Sequence, residues 1–392
     1  MRILFLTARF PWPLHRGDQL RAYHQLRLLG PRHRLTLACF RDGPVPPAGL
    51  AAVSAACERV VTVPLAGAAA AAGLARGAFS PLPFQVSLHR QPRMRRALRE
   101  LAAGDPFDLV HAQLVRVAPF AEGFPAARFV DLVDALSLGM RRRSAQHRGP
   151  LRWLAALEAE RLLRYERRVC ASVEGACVVS GAEREAIGAP SSVGVVPNGF
   201  DPGELPFVPD GRTPATVVFT GNMGYFPNAN AACWFAERVH PLVRRSVPGA
   251  RFVVVGARPA ARVRRLARRD ASVSVVGPVD DMRPHLRSAT VAVAPMQAGG
   301  GQQFKVIEAM ASGAPVVATP IAAEAFDAAR GGALLVAGSP EEFAAAVVSV
   351  VRDPALAGRL AAQARRFVES HHTWEASTAR LEALHEAARS RR

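Results

Sequence analysis

The sequence predicts an α/β protein with two Rossmann-like domains, each a doubly wound parallel sheet covered by helices. Short apolar runs of strand length alternate with helical patterns along the chain, which is typical of right-handed strand–helix–strand units. A stretch rich in Pro, Gly and Asp, from Pro202 to Pro214, interrupts this alternation. We therefore expect one sheet before this stretch and a second sheet after it.

The composition is that of a large globular protein. The 392 residues are 49% hydrophobic and 21% charged, which suits two or three domains and excludes a disordered chain. The five cysteines show no Cys-x-x-Cys spacing, so neither a disulfide framework nor a zinc site is predicted. The N-terminal apolar run breaks at Arg9, and no run reaches the roughly 18 apolar residues of a spanning helix. We therefore expect a cytoplasmic protein.

In the first half, two predicted strands end in polar residues. The runs are Phe107 to His111 and Arg128 to Asp134, and in an open parallel sheet the carboxyl ends of strands face the ligand crevice. His111 and Asp134 are therefore candidate catalytic residues. A structural histidine is the alternative for His111, and a cap for the region around Ser137 is the alternative for Asp134.

A long amphipathic helix is predicted from Pro150 to Cys170. Its glutamates, Glu158, Glu160 and Glu166, lie among arginines. Acidic and basic residues spaced in this way form ion pairs on helix surfaces. We expect these glutamates on a solvated face.

The formal net charge of +18 suggests that the protein binds a negatively charged partner. No nucleic-acid-binding module accompanies the arginines, so nucleic acid is not expected. An anionic membrane surface is the better candidate, because the clearest basic cluster borders the apolar residues Leu151, Trp153 and Leu154. The alternative is that the arginine bias of the sequence alone produces such clusters. The basic residues of the cluster are Arg141, Arg142, Arg143, Arg148 and Arg152.

The second predicted sheet has two glycine-containing loops. In the first, the strand Thr216 to Thr220 is followed by Gly221-Asn222-Met223-Gly224, and three of the four asparagines of the chain lie in or just after this loop. Asparagine favours special turn geometry and local hydrogen bonds. The loop is therefore expected to have one defined backbone conformation.

The second loop begins with three consecutive glycines, Gly299 to Gly301, and leads into good helix formers from Phe304 to Ala311. The amino end of such a helix carries unsatisfied N–H groups, so an anion such as a phosphate is its natural ligand. Gly313 is expected to cap the helix at its carboxyl end.

Lys305 is the only lysine among the 50 lysine and arginine residues. A compact ammonium on a flexible chain suits a diphosphate in a tight glycine pocket better than a flat guanidinium does. Glu308 follows three residues later on the same helix face, where it is placed to accept hydrogen bonds from a ribose diol. A surface ion pair is the alternative for these two residues, and the adjacent glycines favour the nucleotide interpretation.

From Glu308 onwards the sequence reads Glu-Ala-Met-Ala-Ser-Gly-Ala-Pro-Val-Val. This segment resembles the nucleotide-sugar signature of the GT4 family of retaining glycosyltransferases, and the resemblance extends over nearly the whole chain. In the family pattern a first glutamate stands eight positions before the second. Glu308 matches the second, whereas Gly300 occupies the place of the first. With this departure, the chain resembles the sugar transferases of PEP-CTERM/exosortase exopolysaccharide systems.

The resemblance implies the GT-B fold, in which two Rossmann-like domains face each other and a final helix crosses back to the first. We accordingly expect an acceptor-side domain at residues 1–205, a nucleotide-sugar-binding domain at 206–370 and the returning helix at 371–392. The expected donor-binding residues are Gly17, Gly221, Asn222, Gly299, Gly300, Gly301, Gln302, Gln303, Lys305 and Glu308.

The first hypothesis is a retaining glycosyltransferase that moves a sugar from a nucleotide-diphosphate sugar to a lipid-linked or polysaccharide acceptor, in exopolysaccharide or cell-envelope glycan synthesis. The sequence has no carboxylate cage or His/Cys cluster, so no metal or other cofactor is expected, and Lys305 is the residue expected to stabilise the departing diphosphate. A nucleotide-sugar epimerase on the same scaffold is one alternative. A non-enzymatic basic protein that binds membrane or nucleic acid is the other.

Overall fold

The computed structural model describes residues 1–65, 67–279, 281–326 and 331–392. The chain divides into two compact units, one formed by Met1–Pro197 with Trp374–Arg392 and the other by Asn198–Thr373. Each unit is built on its own parallel sheet. The fold class predicted from the sequence, two Rossmann-like α/β domains, is confirmed.

Seven parallel strands form the sheet of the first unit within the described residues. In chain order they are β1 (Arg2–Thr7), β2 (Arg34–Arg41), β3 (Arg59–Pro64), β4 (Leu109–Gln113), β5 (Ala127–Val133), β6 (Gly175–Val178) and β7 (Gly194–Val195). They pair in the order β3-β2-β1-β4-β5-β6-β7, so the strand order reverses between β1 and β4. The central strand β4 is buried along its whole length, as expected for a parallel strand with both faces covered.

Helices follow most of these strands. They are α1 (Gly17–Leu29), α2 (Pro47–Ser54), α3 (Gly67–Ala78), α4 (Phe84–His89), α5 (Pro92–Ala102), α6 (Leu136–Gln146), α7 (Pro150–Ser172) and α8 (Gly181–Ile187), with a 3₁₀ helix at Ala118–Gly123. The helix predicted from Pro150 therefore begins where expected and runs two residues further than predicted.

The expectation that all three glutamates of α7 lie on a solvated face is wrong for two of them. Glu158 is buried, and its carboxylate accepts hydrogen bonds from the first two N–H groups of α4. Glu166 is buried and accepts hydrogen bonds from the N–H and hydroxyl of Ser137 in the first turn of α6. Both carboxylates therefore satisfy donors that a helix amino end leaves free. Glu160 is exposed, as predicted.

Six parallel strands form the sheet of the second unit within the described residues. They are β8 (Thr213–Thr220), β9 (Arg251–Val255), β10 (Val273–Val276), β11 (Ala289–Ala294), β12 (Val316–Ala318) and β13 (Leu335–Val336). Their order is β10-β9-β8-β11-β12-β13. The strand order therefore reverses between β8 and β11.

The helices of the second unit are α9 (Phe226–Trp234), α10 (His240–Ser246), α11 (Ala261–Arg269), α12 (Arg283–Ser288), α13 (Phe304–Ser312), α14 (Pro320–Ala323), α15 (Pro340–Arg352) and α16 (Pro354–His371), with a π-helical segment at Phe235–Val239 between α9 and α10. Throughout the part of the chain that the structure describes, no helix combines the length and apolarity that a membrane crossing needs.

The final helix, α17 (Trp374–Ser390), belongs to the first unit. Trp374 is buried and stacks on the imidazole of His24 in α1, with 4.6 Å between ring centroids. Leu381, about two turns further along the helix, joins the apolar cluster that lies against β1. The end of the chain therefore packs into the core of the unit in which the chain begins.

Candidate functional site

The carboxyl ends of the parallel strands of the second unit lie at one edge of its sheet. The loops that leave β8 and β11 start on either side of the strand-order reversal, the place where doubly wound sheets open a crevice for ligands. A Cβ built on Gly221, in the first loop, would lie 3.3 Å from Cε of Lys305, just after the second. The two loops singled out in the sequence are therefore neighbours at this point.

The glycine turn after β11 requires glycine for its backbone. Gly299 has a φ of 108° and Gly301 a φ of 73°, values that residues with a side chain rarely adopt. A Cβ on Gly299 would meet only Pro227, at an ordinary 3.6 Å. Backbone conformation rather than lack of space therefore explains the glycine at 299. The turn leads directly into α13, and Gly313 ends that helix in the left-handed conformation, as predicted.

Lys305 lies in the first turn of α13, and its ammonium is held by neutral groups. Nζ donates to Oδ1 of Asn228 at 2.8 Å and to Oε1 of Gln303 at 3.1 Å. The ring of Phe219 lies 5.4 Å away, at a cation–π distance. Among the described residues, no carboxylate oxygen comes within ion-pairing distance of this nitrogen. The ammonium is oriented but not neutralised.

Burial shifts the titration of both charged residues on this helix face. Desolvation lowers the pKa of Lys305 to about 8, against the opposing effect of Glu308. Desolvation likewise raises the pKa of Glu308 to about 7, against the opposing effect of Lys305. Both shifts have the sign expected for charges removed from water. A bound anion would favour the charged form of Lys305.

The carboxylate of Glu308 has no hydrogen-bond partner among the residues that the structure describes. The side chain is half-buried and stands one helical turn beyond Lys305. A partly desolvated carboxylate without a donor retains its full capacity to accept hydrogen bonds. It is free to bind hydroxyl groups of a ligand.

The two glutamines between the glycines and the helix serve the turn itself. Gln302 is buried, and its Oε1 accepts a hydrogen bond of 2.7 Å from the main-chain N–H of Asn198. Gln303 donates from Nε2 to the carbonyl of Gly300 at 3.0 Å while its Oε1 faces Lys305. Gln302 is therefore engaged within the unit, whereas Gln303 positions the ammonium.

Asn228 connects the loop after β8 to Lys305. Its Oδ1 accepts a hydrogen bond from the ammonium, and its Nδ2 donates one to the main-chain oxygen of Asn222 at 3.0 Å. The side-chain oxygen of Asn222 accepts in turn from the N–H of Gly224 at 3.0 Å. Asn228 is not among the residues predicted from the sequence, although the crowding of asparagines was a signal for it.

Two glycines allow β8 and β9 to approach each other at the start of this loop. Gly221 and Gly256 have φ values of 149° and 148°. A Cβ on Gly256 would lie 1.8 Å from the carbonyl oxygen of Gly221, so no side chain fits at 256. Gly221 was predicted as a donor-binding residue, and the structure places it against the stem of Lys305.

Arg258 also borders the loop. It follows β9, is exposed and has a φ of 55°, a left-handed conformation that is uncommon for a residue with a side chain. A Cβ built on Gly224 would lie 3.1 Å from Cβ of Arg258. Sequence reasoning did not identify this residue, since one arginine among so many carries no signal. Backbone strain of this kind concentrates at functional sites.

Gly17 belongs to the first unit, whereas the other nine predicted donor-binding residues belong to the second. It is the first residue of α1 and follows β1, next to the strand-order reversal of the first sheet. Arg16, at the N-cap, makes no side-chain cap. The amino end of α1 is therefore without a side-chain cap beside the place where a parallel sheet binds ligands.

His111 is completely buried in the first unit. Its ring stacks on Phe5 with 4.0 Å between centroids, and Nδ1 lies 2.9 Å from Nε2 of His385 in α17. Burial lowers the pKa of His111 to about 4. A side chain without exposed surface does not meet a substrate, so the expectation of a catalytic role is replaced by the structural alternative.

Asp134 follows β5 and is half-buried. Desolvation and, after it, neighbouring carboxylates raise the pKa of Asp134 to about 7, against the opposing effect of Arg21. No described residue forms a hydrogen bond with its carboxylate. The alternative of a cap for Ser137 is not realised, because Glu166 holds that residue. Asp134 is therefore a carboxylate that is able to exchange a proton near neutral pH.

The described residues contain no group of three or more His, Cys, Asp or Glu side chains arranged to hold a metal ion. The five cysteines are all free thiols. Desolvation raises the pKa of Cys39 and Cys57 above the usual thiol value, which keeps them protonated and unreactive.

The sequence of the second unit matches a known family. Residues 214–353 fit the family model described as glycosyl transferases group 1. The match covers 140 of the 392 residues, so this segment is similar to a glycosyltransferase group 1 domain. It contains both loops, Lys305 and Glu308, and together with the fold it supports a glycosyltransferase. No sequence among the curated proteins matches the chain significantly.

Solved structures show the same fold at low sequence identity. Sucrose-phosphate synthase from Thermosynechococcus elongatus has a TM-score of 0.75 and 17% identity, over 98% of each chain. Anabaena HepE in complex with UDP has a TM-score of 0.69 and 15% identity, over 98% of this chain and 99% of its own. S. aureus TarM, in a complex that contains UDP, has a TM-score of 0.57 and 15% identity, over 76% of this chain and 58% of its own. The predicted GT-B fold is confirmed.

Proposed function

We propose that this protein is a glycosyltransferase that moves a sugar from a nucleotide-diphosphate sugar to an acceptor. The observation that carries the proposal is the environment of Lys305. The only lysine of the chain lies at the strand-order reversal of the group 1 domain, beside a glycine turn, and is held by amide oxygens rather than by a carboxylate. A diphosphate supplies the anion that this ammonium lacks.

The site residues then have separate roles. Lys305 and the N–H groups at the amino end of α13 bind the diphosphate, and Asn228 and Gln303 orient the ammonium. Glu308 accepts hydrogen bonds from the ribose hydroxyl groups. Gly299 to Gly301 let the main chain approach the ligand closely.

In the proposed chemistry, a hydroxyl oxygen of the acceptor bonds to the anomeric carbon while the bond between that carbon and the diphosphate oxygen breaks, and the hydroxyl proton is released. Negative charge develops on the leaving diphosphate, and donors already in place stabilise it in the transition state. The proposal gives this task to Lys305 and main-chain N–H groups rather than to a metal ion. Retention of configuration follows the family that the sequence resembles. Asp134 in the first unit is proposed as the group that takes the acceptor proton, since its pKa is raised to about 7.

The acceptor is proposed to be a glycan or a lipid-linked sugar, in exopolysaccharide or cell-envelope glycan synthesis. This step rests on the resemblance to the PEP-CTERM/exosortase-associated transferases and on the arginine cluster between Arg141 and Arg152, which belongs to the first unit. The same cluster leads us to propose that the protein works at the cytoplasmic face of the inner membrane. UDP is the first nucleotide to test, because HepE and TarM were solved with it.

The activity is tested with the purified full chain and a panel of UDP, GDP, ADP and TDP sugars. Chromatography and mass spectrometry follow the released nucleoside diphosphate and the glycosylated acceptor. We expect one donor class to be consumed, and Lys305→Ala to lower turnover by about a hundredfold or more with folding intact. A changed sugar formed from donor alone identifies an epimerase instead. Normal turnover by Lys305→Ala contradicts the proposed role.

A further inference from the structure

Exposed apolar residues are concentrated in one short segment of the first unit. Among the described residues, ten large hydrophobic side chains are exposed, and four of them lie between residues 151 and 157. The exposed fractions are 60% for Leu151, 76% for Trp153, 51% for Leu154 and 44% for Leu157. Single exposed apolar residues are ordinary, whereas a contiguous group of them marks an interaction site.

These residues give α7 a second apolar face. The core face contains Ala155, Glu158 and Leu162. Pro150, Trp153, Leu154 and Leu157 are exposed and have the i, i+3, i+4, i+7 spacing of a helix stripe. A helix that packs by one stripe needs no second one for its own fold. The second stripe therefore points to a partner outside the unit.

All charged side chains in the segment around this stripe are basic. No Asp or Glu occurs from Leu136 to Leu157. Arg141, Arg148 and Arg152 are exposed, and Arg142 and Arg143 lie on the same segment. We refer to the exposed residues from Arg141 to Leu157 as the α6–α7 surface. It combines a cationic band with an apolar stripe that carries a tryptophan.

This combination fits an anionic lipid bilayer better than other partners. Arginines attract the headgroups, while tryptophan and leucine side chains enter the boundary between headgroups and acyl chains. A second copy of the chain would bring two sets of arginines against each other, which is unfavourable. A nucleic acid would use the arginines but leave most of the apolar stripe in water.

We propose that the α6–α7 surface binds anionic membranes, with α7 lying in the plane of the interface. This inference deepens the proposed function by assigning the surface that places the enzyme beside a lipid-linked acceptor. Its physical basis is nevertheless independent of the donor site, because both helices belong to the first unit and Lys305 belongs to the second.

The test is sedimentation of the full chain with vesicles of phosphatidylcholine alone or with about one third phosphatidylglycerol. We expect binding to the anionic vesicles that weakens as salt is added. Trp153→Ser with Leu154→Ser should weaken binding by about tenfold, and so should Arg141→Ser with Arg148→Ser and Arg152→Ser. The control is Arg265→Ser with Arg268→Ser and Arg269→Ser, which removes the same charge from exposed positions on α11.

The control variant should retain binding within about twofold. Equal losses in the control and α6–α7 variants overturn the proposal, because net charge alone would then explain binding. Binding to duplex nucleic acid but not to vesicles overturns it in favour of the nucleic-acid alternative, and a dimer abolished by Trp153→Ser does so in favour of a second copy. Vesicle binding needs no donor sugar, so its failure is distinguishable from failure of the transferase assignment.

Discussion

The ammonium of Lys305 lies 2.8 Å from the amide oxygen of Asn228, and the amide nitrogen of Asn228 lies 3.0 Å from the main-chain oxygen of Asn222. A neutral amide thus orients the ammonium without cancelling its charge. The arrangement connects the loop after β8 to the glycine turn after β11. It leaves one positive charge available where the strand order reverses.

Replacing this amide by a carboxylate tests whether the positive charge of Lys305 binds a ligand. Asn228→Asp places a negative charge beside Lys305 and raises the pKa of the ammonium. We expect donor affinity to fall by about tenfold or more, because the ion pair then competes with the diphosphate. Initial-rate kinetics with a saturating acceptor would show this as a raised KM.

Asn228→Ala is the matched control, since it also removes the hydrogen bond to Asn222 but adds no charge. It should weaken donor binding less than Asn228→Asp does. If Asn228→Asp keeps full affinity, the ammonium is a structural group and not the diphosphate ligand.

The pH dependence of nucleotide binding should report Lys305 and Glu308 directly. The pKa of Lys305 is lowered to about 8, so it loses its charge as pH rises through that value. The pKa of Glu308 is raised to about 7, so its carboxylate is protonated as pH falls through that value. Affinity measured by calorimetry should therefore be greatest between about pH 7 and 8.

Two variants assign the limbs of this profile. Lys305→Arg should extend the alkaline limb, because a guanidinium stays charged to about pH 12 or above. Glu308→Gln should flatten the acidic limb. Wild type and Lys305→Arg profiles that coincide above about pH 8 would exclude Lys305 as the titrating group.

A substitution at Arg258 should change the stability of the ligand-free protein and its nucleotide affinity in opposite directions. Arg258→Gly relieves the left-handed conformation and should stabilise the ligand-free protein by on the order of 1 kcal/mol. The same change removes one positively charged side chain from the loop that packs against Gly224, so we expect nucleotide affinity to fall. Thermal unfolding with and without nucleotide measures both effects. A more stable variant with unchanged affinity would restrict Arg258 to the backbone of its loop.

His111 and His385 should make the first unit sensitive to acid. Burial lowers the pKa of His111 to about 4 and that of His385 well below its usual value, whereas both titrate near 6.5 when unfolded. As pH falls below about 6.5, the unfolded chain binds protons first. Stability is therefore complete above that pH and declines progressively towards about pH 4. His89 and His240 are shifted in the same direction.

The double variant His111→Phe with His385→Leu removes two of the buried histidines that bind protons on unfolding. Urea unfolding at about pH 7.5 and about pH 5 should show a smaller loss of stability in the variant than in wild type, by on the order of 1–3 kcal/mol. An identical loss in both proteins would mean that this pair does not govern acid sensitivity.

Local patterns predicted the fold and part of the site. The strand–helix alternation identified both sheets, and Gly313 capped its helix as expected, because these features depend on neighbours in sequence. The glycine turn and Lys305 were found for the same reason, since they lie within seven residues of each other.

Tertiary contacts account for the residues that the sequence could not place. Glu158 and Glu166 have the spacing of surface ion pairs, but the amino ends of α4 and α6 recruit their carboxylates into the core. The sequence placed His111 at the end of a strand, where ligands bind, but β4 continues to Gln113, so His111 lies in the middle of the strand, and α17 covers it with His385. Arg258 lies in a loop that packs against the loop after β8, where the N–H of Met223 donates to the carbonyl of Ala257, and no local sequence pattern predicts its left-handed conformation.

The most direct test of the donor site is titration calorimetry of UDP, GDP, ADP and TDP with wild type, Lys305→Met and the surface control Arg265→Met. One nucleoside diphosphate should bind wild type and the control equally. Lys305→Met should bind it about tenfold to a hundredfold more weakly, the loss expected for one charge-assisted hydrogen bond. Binding by Lys305→Met within about twofold of wild type would contradict the claim that this ammonium holds the diphosphate.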